Sequence, residues 1–152
     1  MTAGSPKEVV RRVADGILEA TVIGSFTEIG PMVSADQYEL VNELVDDAVA
    51  NGAEKLCGGP REVPGFPGKF IAPVVLTGVT HEMRIMKEEI FGPVLAVTTF
   101  TDFADAIRIA NDSIYGLGAG VWSRAGSIAY RAGRAIKAGR VWVNCYDAYP
   151  AH

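Results

Sequence analysis

The chain has 152 residues, of which 49% are hydrophobic and 21% are charged, values typical of one globular domain large enough to bury a core. Its net charge of −4 provides no basic surface for nucleic acid, and no apolar run is long enough to span a bilayer. The N-terminal residues lack the basic and apolar regions of a secretory signal, so we expect a cytoplasmic protein with neither membrane nor nucleic-acid partners.

The cysteines and histidines argue against a metal centre. Cys57 and Cys145 form no CxxC pair, which fits a reducing compartment and predicts neither a disulfide scaffold nor a zinc site. His81 and His152 are too few and too far apart to suggest metal ligation. We interpret each histidine as a surface or capping residue.

Two helices are predicted before the first strand. Ser5, Pro6 and Glu8 form a helix start, followed by apolar residues at helical spacing. After a loop at residues 24–31, residues 34–37 repeat the capping pattern, and Gly52 is a suitable left-handed stop. The apolar face of this second helix comprises Tyr38, Val41, Val45 and Ala48.

Strand patterns follow the second helix. Residues 55–57 predict a short strand, and residues 58–68, with four glycines and three prolines, predict a loop. Residues 70–79 predict a strand that Pro73 makes an edge strand or a bulged one, because proline cannot donate to a sheet ladder. Residues 94–100 are rich in β-branched residues and predict a better strand.

The second half of the chain alternates helices and strands. A helix is predicted at residues 102–110, a small-residue strand at 118–122, a helix at 127–138 that stops at Gly139, and a buried-type strand at 140–144. The face of the first of these helices comprises Phe103, Ala106, Ile107 and Ala110. This alternation predicts an α/β fold in which neighbouring strands are parallel.

Residues 86–94, which read Met-Lys-Glu-Glu-Ile-Phe-Gly-Pro-Val, are the most informative segment. A carboxylate pair, an aromatic ring and a Gly-Pro corner suit a pocket that grips a polar ligand on one side and a flat ring on the other. Taken alone, Glu88 and Glu89 also suit an exposed acidic pair, and Phe91 suits a core position. The glycines near residue 118 do not form a dinucleotide fingerprint and indicate close strand packing instead.

Four segments, in order, carry a resemblance to a known family: TEIGPMVS at 27–34, KEEIFGPV at 87–94, ANDSIYGLGAGVW at 110–122 and AGRVWVN at 138–144. With them the chain resembles NAD(P)-dependent aldehyde dehydrogenases, and its loops are most similar to bacterial acetaldehyde-type enzymes. The resemblance implies a mostly parallel Rossmann-like sheet flanked by helices. It also implies that residues 1–152 form a single, partial catalytic domain.

The resemblance assigns roles to five residues. Glu89 matches the glutamate that accepts hydrogen bonds from the nicotinamide ribose hydroxyls, and Phe91 matches the aromatic packed beside that ribose and ring. Asp147 and Tyr149 match positions that line the substrate entrance. Asn144 matches an asparagine near the active site, which we interpret as structural support. The implied activity is oxidation of an aldehyde to a carboxylic acid with NAD or NADP.

The residues expected to perform catalysis in this family are missing from the sequence. Neither Cys57 nor Cys145 matches the nucleophilic cysteine, and the resemblance of residues 2–5 to the segment after that cysteine would place Met1 in its position. The glutamate base, the dinucleotide-binding domain and the terminal oligomerisation strand also have no counterpart. We therefore expect the chain alone to be inactive and to bind the cofactor weakly or not at all.

Three interpretations of such a chain stay open on the sequence. It is a piece of a longer aldehyde dehydrogenase, or a non-catalytic remnant that self-associates through apolar faces, or half of a split enzyme completed by a separate chain. The sequence does not choose among these. It also leaves open the aldehyde, the choice between NAD and NADP, and whether the partner is a second copy or a complementing chain.

Overall fold

The computed structural model describes residues 29–145, which fall into two compact units that divide between Thr99 and Phe100. Each unit has its own sheet. The helix predicted from Ser5 onward lies outside the described residues, as do Asp147 and Tyr149. A single domain over residues 1–152 remains a prediction.

The first unit opens with helix α1, Ala35–Ala50. Ser34 caps it by accepting a hydrogen bond from the backbone N–H of Gln37 at 3.1 Å, and Gly52 follows its end with a φ of 102°, a conformation that favours glycine. One face of the helix is buried, at Val41, Leu44, Val45 and Ala48. The predicted start and stop of this helix are confirmed, as is the apolar face at Val41, Val45 and Ala48, whereas Tyr38 is only partly buried and Leu44 was not predicted.

Strand β1, Glu54–Arg61, is longer than predicted. The predicted strand stopped at residue 57, yet residues 59–61 pair antiparallel with residues 70–72 of strand β2, Phe70–Thr77. Gly58 and Gly59 both have positive φ values, 82° and 123°. The prediction of a loop from residue 58 was wrong because these glycines bend the strand without ending it.

Pro73 does not place β2 at an edge. Strand β2 lies between β1 and strand β3, Val94–Ala96, which pairs with it in parallel. The register of β1 shifts twice, around Cys57, in the stretch that faces Pro73, and a side chain at Gly58 would collide with the Pro73 carbonyl group. The predicted edge position was wrong, whereas an irregular pairing at Pro73 is confirmed.

Strand β3 is shorter than the predicted strand at residues 94–100. Its register runs from Val74 opposite Val94 to Leu76 opposite Ala96, and β2 ends one residue later at Thr77. Beyond Ala96 the backbone N–H of Val97 still donates to the carbonyl oxygen of Leu76 at 2.9 Å, but the register with β2 does not continue past Ala96, so the β-branched side chains that follow do not extend the strand. A short 3₁₀ helix, Arg84–Met86, precedes β3.

The core of the first unit forms between α1, the sheet and the 3₁₀ segment. Leu44, Leu76, Val41, Val74 and Val75 are its largest fully buried side chains. Burial of this apolar surface is the main favourable contribution to folding. It fixes α1 against the part of the chain that leads into β3.

The second unit contains helix α2 (Phe103–Asn111), strand β4 (Gly118–Val121), helix α3 (Gly126–Ala135) and strand β5 (Arg140–Val143). Strands β4 and β5 pair in parallel, as predicted. Two of the three strand pairings within residues 29–145 are therefore parallel, which confirms an α/β fold.

Helix α3 ends three residues before the predicted end at residue 138. The side chain of Asn111 donates to the carbonyl oxygen of Ala135 at 2.9 Å and accepts from the backbone N–H of Lys137 at 2.7 Å. Asn111 thus satisfies a carbonyl that the helix end leaves open. Gly139 instead donates to the carbonyl oxygen of Gly116 at 2.7 Å.

Burial in the second unit is lower than the sequence predicted. No residue of α2 is buried, and the ring of Phe103 lies 4.5 Å from the Arg131 guanidinium group. In β5 only Trp142 is buried, so the expectation of a buried-type strand was wrong. None of the helices within residues 29–145 has the length and apolar character needed to cross a membrane.

Candidate functional site

Residues 87–93, which we call the site loop, connect the 3₁₀ helix to β3. At its start, the backbone N–H groups of Lys87 and Glu88 donate to the carbonyl oxygen of Arg84 at 2.8 and 2.9 Å. At its end, the backbone N–H of Val74 in β2 donates to the carbonyl oxygen of Pro93 at 2.8 Å. Both ends of the loop are therefore held by regular structure.

Helix α1 holds the middle of the site loop through two residues one turn apart. The amide Nε2 of Gln37 donates to the carbonyl oxygen of Ile90 at 2.7 Å and lies 3.4 Å from that of Phe91. A Cβ atom on Gly92 would lie 2.6 Å from Cγ2 of Val41, so the loop approaches the helix as closely as glycine allows. The side chain of Ile90 packs against the core.

This arrangement leaves the Phe91 side chain exposed to solvent. Its φ is 47°, in the left-handed region, where a non-glycine residue costs about 1–2 kcal/mol. Its side chain is 75% exposed, so Phe91 is not a core residue. A large ring held outward at a conformational cost is the kind of feature that clusters at ligand sites.

The two glutamates of the loop differ in their surroundings. Arg84 forms a two-bond ion pair with Glu88, from Nε at 2.8 Å and Nη2 at 3.2 Å, and its Nη1 also donates to Glu43 of α1 at 2.8 Å. The Arg84 hydrogen bond lowers the pKa of Glu88, and Glu88 and then Glu43 raise the pKa of Arg84. Glu89 is exposed and, among the described residues, no side chain is paired with it.

Asn144 belongs to the second unit, directly after β5. Its Oδ1 accepts from the backbone N–H of Ser123 at 2.9 Å, and its Nδ2 donates to the Ser123 carbonyl oxygen at 3.1 Å. Its own N–H donates to the carbonyl oxygen of Val121 at 2.8 Å, and its φ is 52°. The residue joins the segments that follow both parallel strands, at the edge where α/β proteins build sites.

The remaining candidates are less informative. Asp147 and Tyr149 lie outside the described residues. Cys57 is partly buried, with Sγ 3.7 Å from the carbonyl oxygen of Pro73, and Cys145 is exposed. Residues 29–145 contain no group of three or more His, Cys, Asp or Glu side chains suited to a metal ion.

Sequence reasoning missed Gln37 and Arg84. Gln37 occupies the third helical position of a capping pattern, which predicts that its side chain returns to the cap, but the side chain reaches a carbonyl group 53 residues later. No local pattern reveals such a partner. Arg84 carried a weak signal, because an arginine four residues before Glu88 on a helical turn forms an ion pair.

Comparisons with known proteins identify the family. The profile described as "Aldehyde dehydrogenase family" matches residues 5–152. The chain belongs to the aldehyde dehydrogenase family. It is 55% identical over 129 residues to a fluoroacetaldehyde dehydrogenase of Streptantibioticus cattleyicolor, covering 83% of this chain and 25% of that protein. It is 48% identical over 149 residues to acetaldehyde dehydrogenase 2 of Cupriavidus necator, covering 96% of this chain and 29% of that protein.

Solved structures of aldehyde dehydrogenases have the same fold as this chain. Betaine aldehyde dehydrogenase from Staphylococcus aureus, in complex with NAD+, superposes with a TM-score of 0.87 at 32% identity, covering 95% of this chain and 30% of that chain. The Rossmann-like α/β fold implied by the resemblance is thereby confirmed. The chain spans between 25% and 30% of the length of these relatives.

The ion pair around Arg84 predicts the titration of Glu88. Its pKa in the folded chain should lie below the ordinary value of 4.5, so the stability it contributes is present above that value and is lost as the pH falls through the folded-state pKa. Arg84→Gln should raise the pKa of Glu88 towards 4.5, as measured by NMR of the side-chain carboxyl carbons.

Arg108→Gln is the matched control for this titration. Asp105 has a lowered pKa, first because of the backbone N–H of Thr101 and then because of Arg108. The control should therefore raise the pKa of Asp105 only in part and leave Glu88 unchanged. If the pKa of Glu88 is the same with and without the Arg84 guanidinium group, the ion pair is not the cause of the lowered pKa.

Proposed function

We propose that the chain forms the wall of an NAD or NADP site that receives the nicotinamide ribose. Glu89 accepts hydrogen bonds from the two ribose hydroxyls, and Phe91 packs beside the ribose and the nicotinamide ring. One observation carries this proposal: a single loop, held by α1, presents an exposed acid and a ring that is 75% exposed.

The chemistry of the two groups supports their roles. An ionised carboxylate has two acceptor oxygens, so one side chain can bind both hydroxyls of a vicinal diol through charge-assisted hydrogen bonds. Because Glu88 is committed to Arg84, Glu89 is the acid of the pair that can serve a ligand. An exposed ring supplies a flat apolar surface to a heteroaromatic group.

The reaction follows from the family. We propose that the whole protein oxidises a small aldehyde, with water, to a carboxylic acid, and that hydride passes to NAD or NADP. By the family resemblance we assign Asp147 and Tyr149 to the substrate entrance and Asn144 to structural support, and Asn144 joins the segments after β4 and β5.

The 152 residues by themselves do not perform this oxidation. The reaction needs a thiolate positioned beside a base and an oxyanion site. Cys57 directs its sulfur at a carbonyl oxygen within the β1–β2 pairing, and we assign neither it nor Cys145 as the nucleophile. We also propose that the protein is cytoplasmic, since its two cysteines form no CxxC pair, which fits a reducing compartment.

The purified chain should therefore produce no NADH from acetaldehyde and NAD+. The measurement is absorbance of NADH over hours at high protein concentration, with Cys145→Ser and Cys57→Ser variants run beside the unmodified chain. Turnover that Cys145→Ser abolishes and Cys57→Ser preserves would show that Cys145 is a nucleophile and would refute the proposed inactivity.

The chain alone should bind the cofactor more weakly than micromolar, because micromolar affinity takes about −8 kcal/mol and one acid and one ring supply only part of it. In an NMR titration, nicotinamide riboside should shift the amide signals of residues 89–92. Glu89→Gln should weaken this binding about ten- to a hundredfold, the range for one hydrogen bond to a charged group.

Two comparisons make that titration specific. Glu88→Gln, which alters the acid held by Arg84, should leave riboside binding within about twofold, because an exposed ion pair contributes little. Nicotinamide without its ribose should bind the Glu89→Gln variant and the unmodified chain equally. Equal losses in the two glutamine variants, or no riboside effect on the unmodified chain, would contradict the ribose role of Glu89.

A second candidate function is self-association, favoured by one observation in the second unit. Ile114 and Leu117 are each 90% exposed, and Trp122 is 62% exposed. Large apolar side chains clustered within nine residues of sequence favour contact with another protein surface. A second copy of this chain would cover them in a homo-oligomer, and a complementing chain would cover them in a split enzyme.

Sedimentation velocity separates these states. If a second copy covers the cluster, the chain should sediment as a concentration-dependent oligomer, and the double variant Ile114→Ser, Leu117→Ser should sediment as a monomer. Val33→Ser, which changes a residue of the first unit that is also 90% exposed, should leave the oligomer intact. A monomer at all concentrations would exclude self-association.

A further inference from the structure

The Gln37 side chain makes a contact that neither helix capping nor core packing requires. Its backbone N–H already completes the cap with Ser34 at 3.1 Å. Its amide nitrogen instead reaches the site loop, 2.7 Å from the carbonyl oxygen of Ile90 and 3.4 Å from that of Phe91. One amide NH₂ group, which has two N–H donors, therefore serves two consecutive carbonyl groups.

This double contact constrains the backbone of Phe91. In an extended chain, successive residues alternate in direction and successive carbonyl groups point to opposite sides. The carbonyl oxygens of Ile90 and Phe91 would then not converge on one amide group. They converge when Phe91 leaves the extended region, and its φ is 47°. Phe91 stands in the left-handed region, which otherwise costs about 1–2 kcal/mol, and the Gln37 amide favours this conformation over an extended one.

The other contacts that hold the site loop do not bind the carbonyl groups of Ile90 and Phe91. The backbone hydrogen bonds of Lys87 and Glu88 precede it, and that of Pro93 follows it. Gly92 contacts Val41 through close packing, which sets the distance from α1 but does not select the direction of a carbonyl group. Within residues 29–145, Gln37 supplies the side-chain hydrogen bonds to the carbonyl groups between Glu89 and Gly92.

We propose that Gln37 is a positioning residue for the ribose site. By binding the carbonyl groups of Ile90 and Phe91 it holds Phe91 in the left-handed conformation, and so fixes where the Phe91 ring and the neighbouring Glu89 carboxylate stand. The ligand in this inference rests on the proposed function, whereas the effect of Gln37 on the conformation of Phe91 is independent of any ligand.

The test compares substitutions that remove the donor with one that keeps it. Gln37→Met has similar length and high helix propensity but cannot donate, and ionised Gln37→Glu is a second variant without a donor. Gln37→Lys keeps a flexible donor. All three retain the backbone N–H that completes the cap. NMR of the 152-residue chain reports the φ of Phe91 through its H–N–Cα–H coupling and secondary shifts, and a nicotinamide riboside titration reports binding.

Donor loss should move Phe91 out of the left-handed region and weaken riboside binding about two- to tenfold, the range for one neutral hydrogen bond. Gln37→Lys should restore both. Nicotinamide alone should bind all variants within twofold of one another. The thermal unfolding midpoint should stay close to that of the unmodified chain, whereas a general loss of structure would lower it.

The outcomes separate this inference from the proposed function. If the unmodified chain binds riboside and the Met and Glu variants bind it equally well, or if Phe91 keeps its conformation in them, the positioning role is refuted while the ribose site stands. If riboside does not affect the unmodified chain, the ribose site is refuted, and the role of Gln37 in positioning a ribose site is refuted with it. The Phe91 signals then report only a structural role for Gln37.

Discussion

The contact between the first two turns of α1 and the site loop is the interaction on which the first unit's site depends. Val41 is fully buried in the core and also touches Gly92 of the loop, while Gln37, one turn earlier, binds the carbonyl groups of Ile90 and Phe91. Because the same helix is fixed by core packing, its contacts hold the loop in one position relative to that core. A surface loop held in this way keeps its exposed groups in place without burying them.

Charge organises the same loop. Two adjacent carboxylates repel each other, and Arg84 relieves this by pairing with Glu88 while also reaching Glu43 on α1. The arrangement ties the start of the loop to the helix a second time. It also makes the neighbouring acids unequal, since Glu88 is committed within the fold and Glu89 stays exposed. The choice between them as a ligand group comes from structure, because their sequence context is nearly the same.

Local patterns predicted those parts of the fold whose causes are local. The cap at Ser34, the apolar face of α1 and the stop at Gly52 were all predictable, because each depends on residues within a few positions of one another. The length of β3 was not, since β2 ends at Thr77 and the register of the two strands stops at Ala96. The extension of β1 through Gly58 and the position of Pro73 in a central strand likewise depend on partners elsewhere in the chain.

The candidate site shows the same division. The motif at residues 86–94 gave the acid and the ring, but the side chain that holds them comes from another element. That side chain is an amide, Gln37, and in the second unit another amide, Asn144, separately joins the segments after β4 and β5. Asn144 both accepts from and donates to the backbone of Ser123, which a carboxylate or an ammonium group cannot do. Because an amide does not titrate near neutral pH, both contacts keep their geometry across the range in which carboxylates and histidines change charge. The middle of the site loop, which presents a charged ligand group, is thereby held by a side chain whose own charge does not change, that of Gln37.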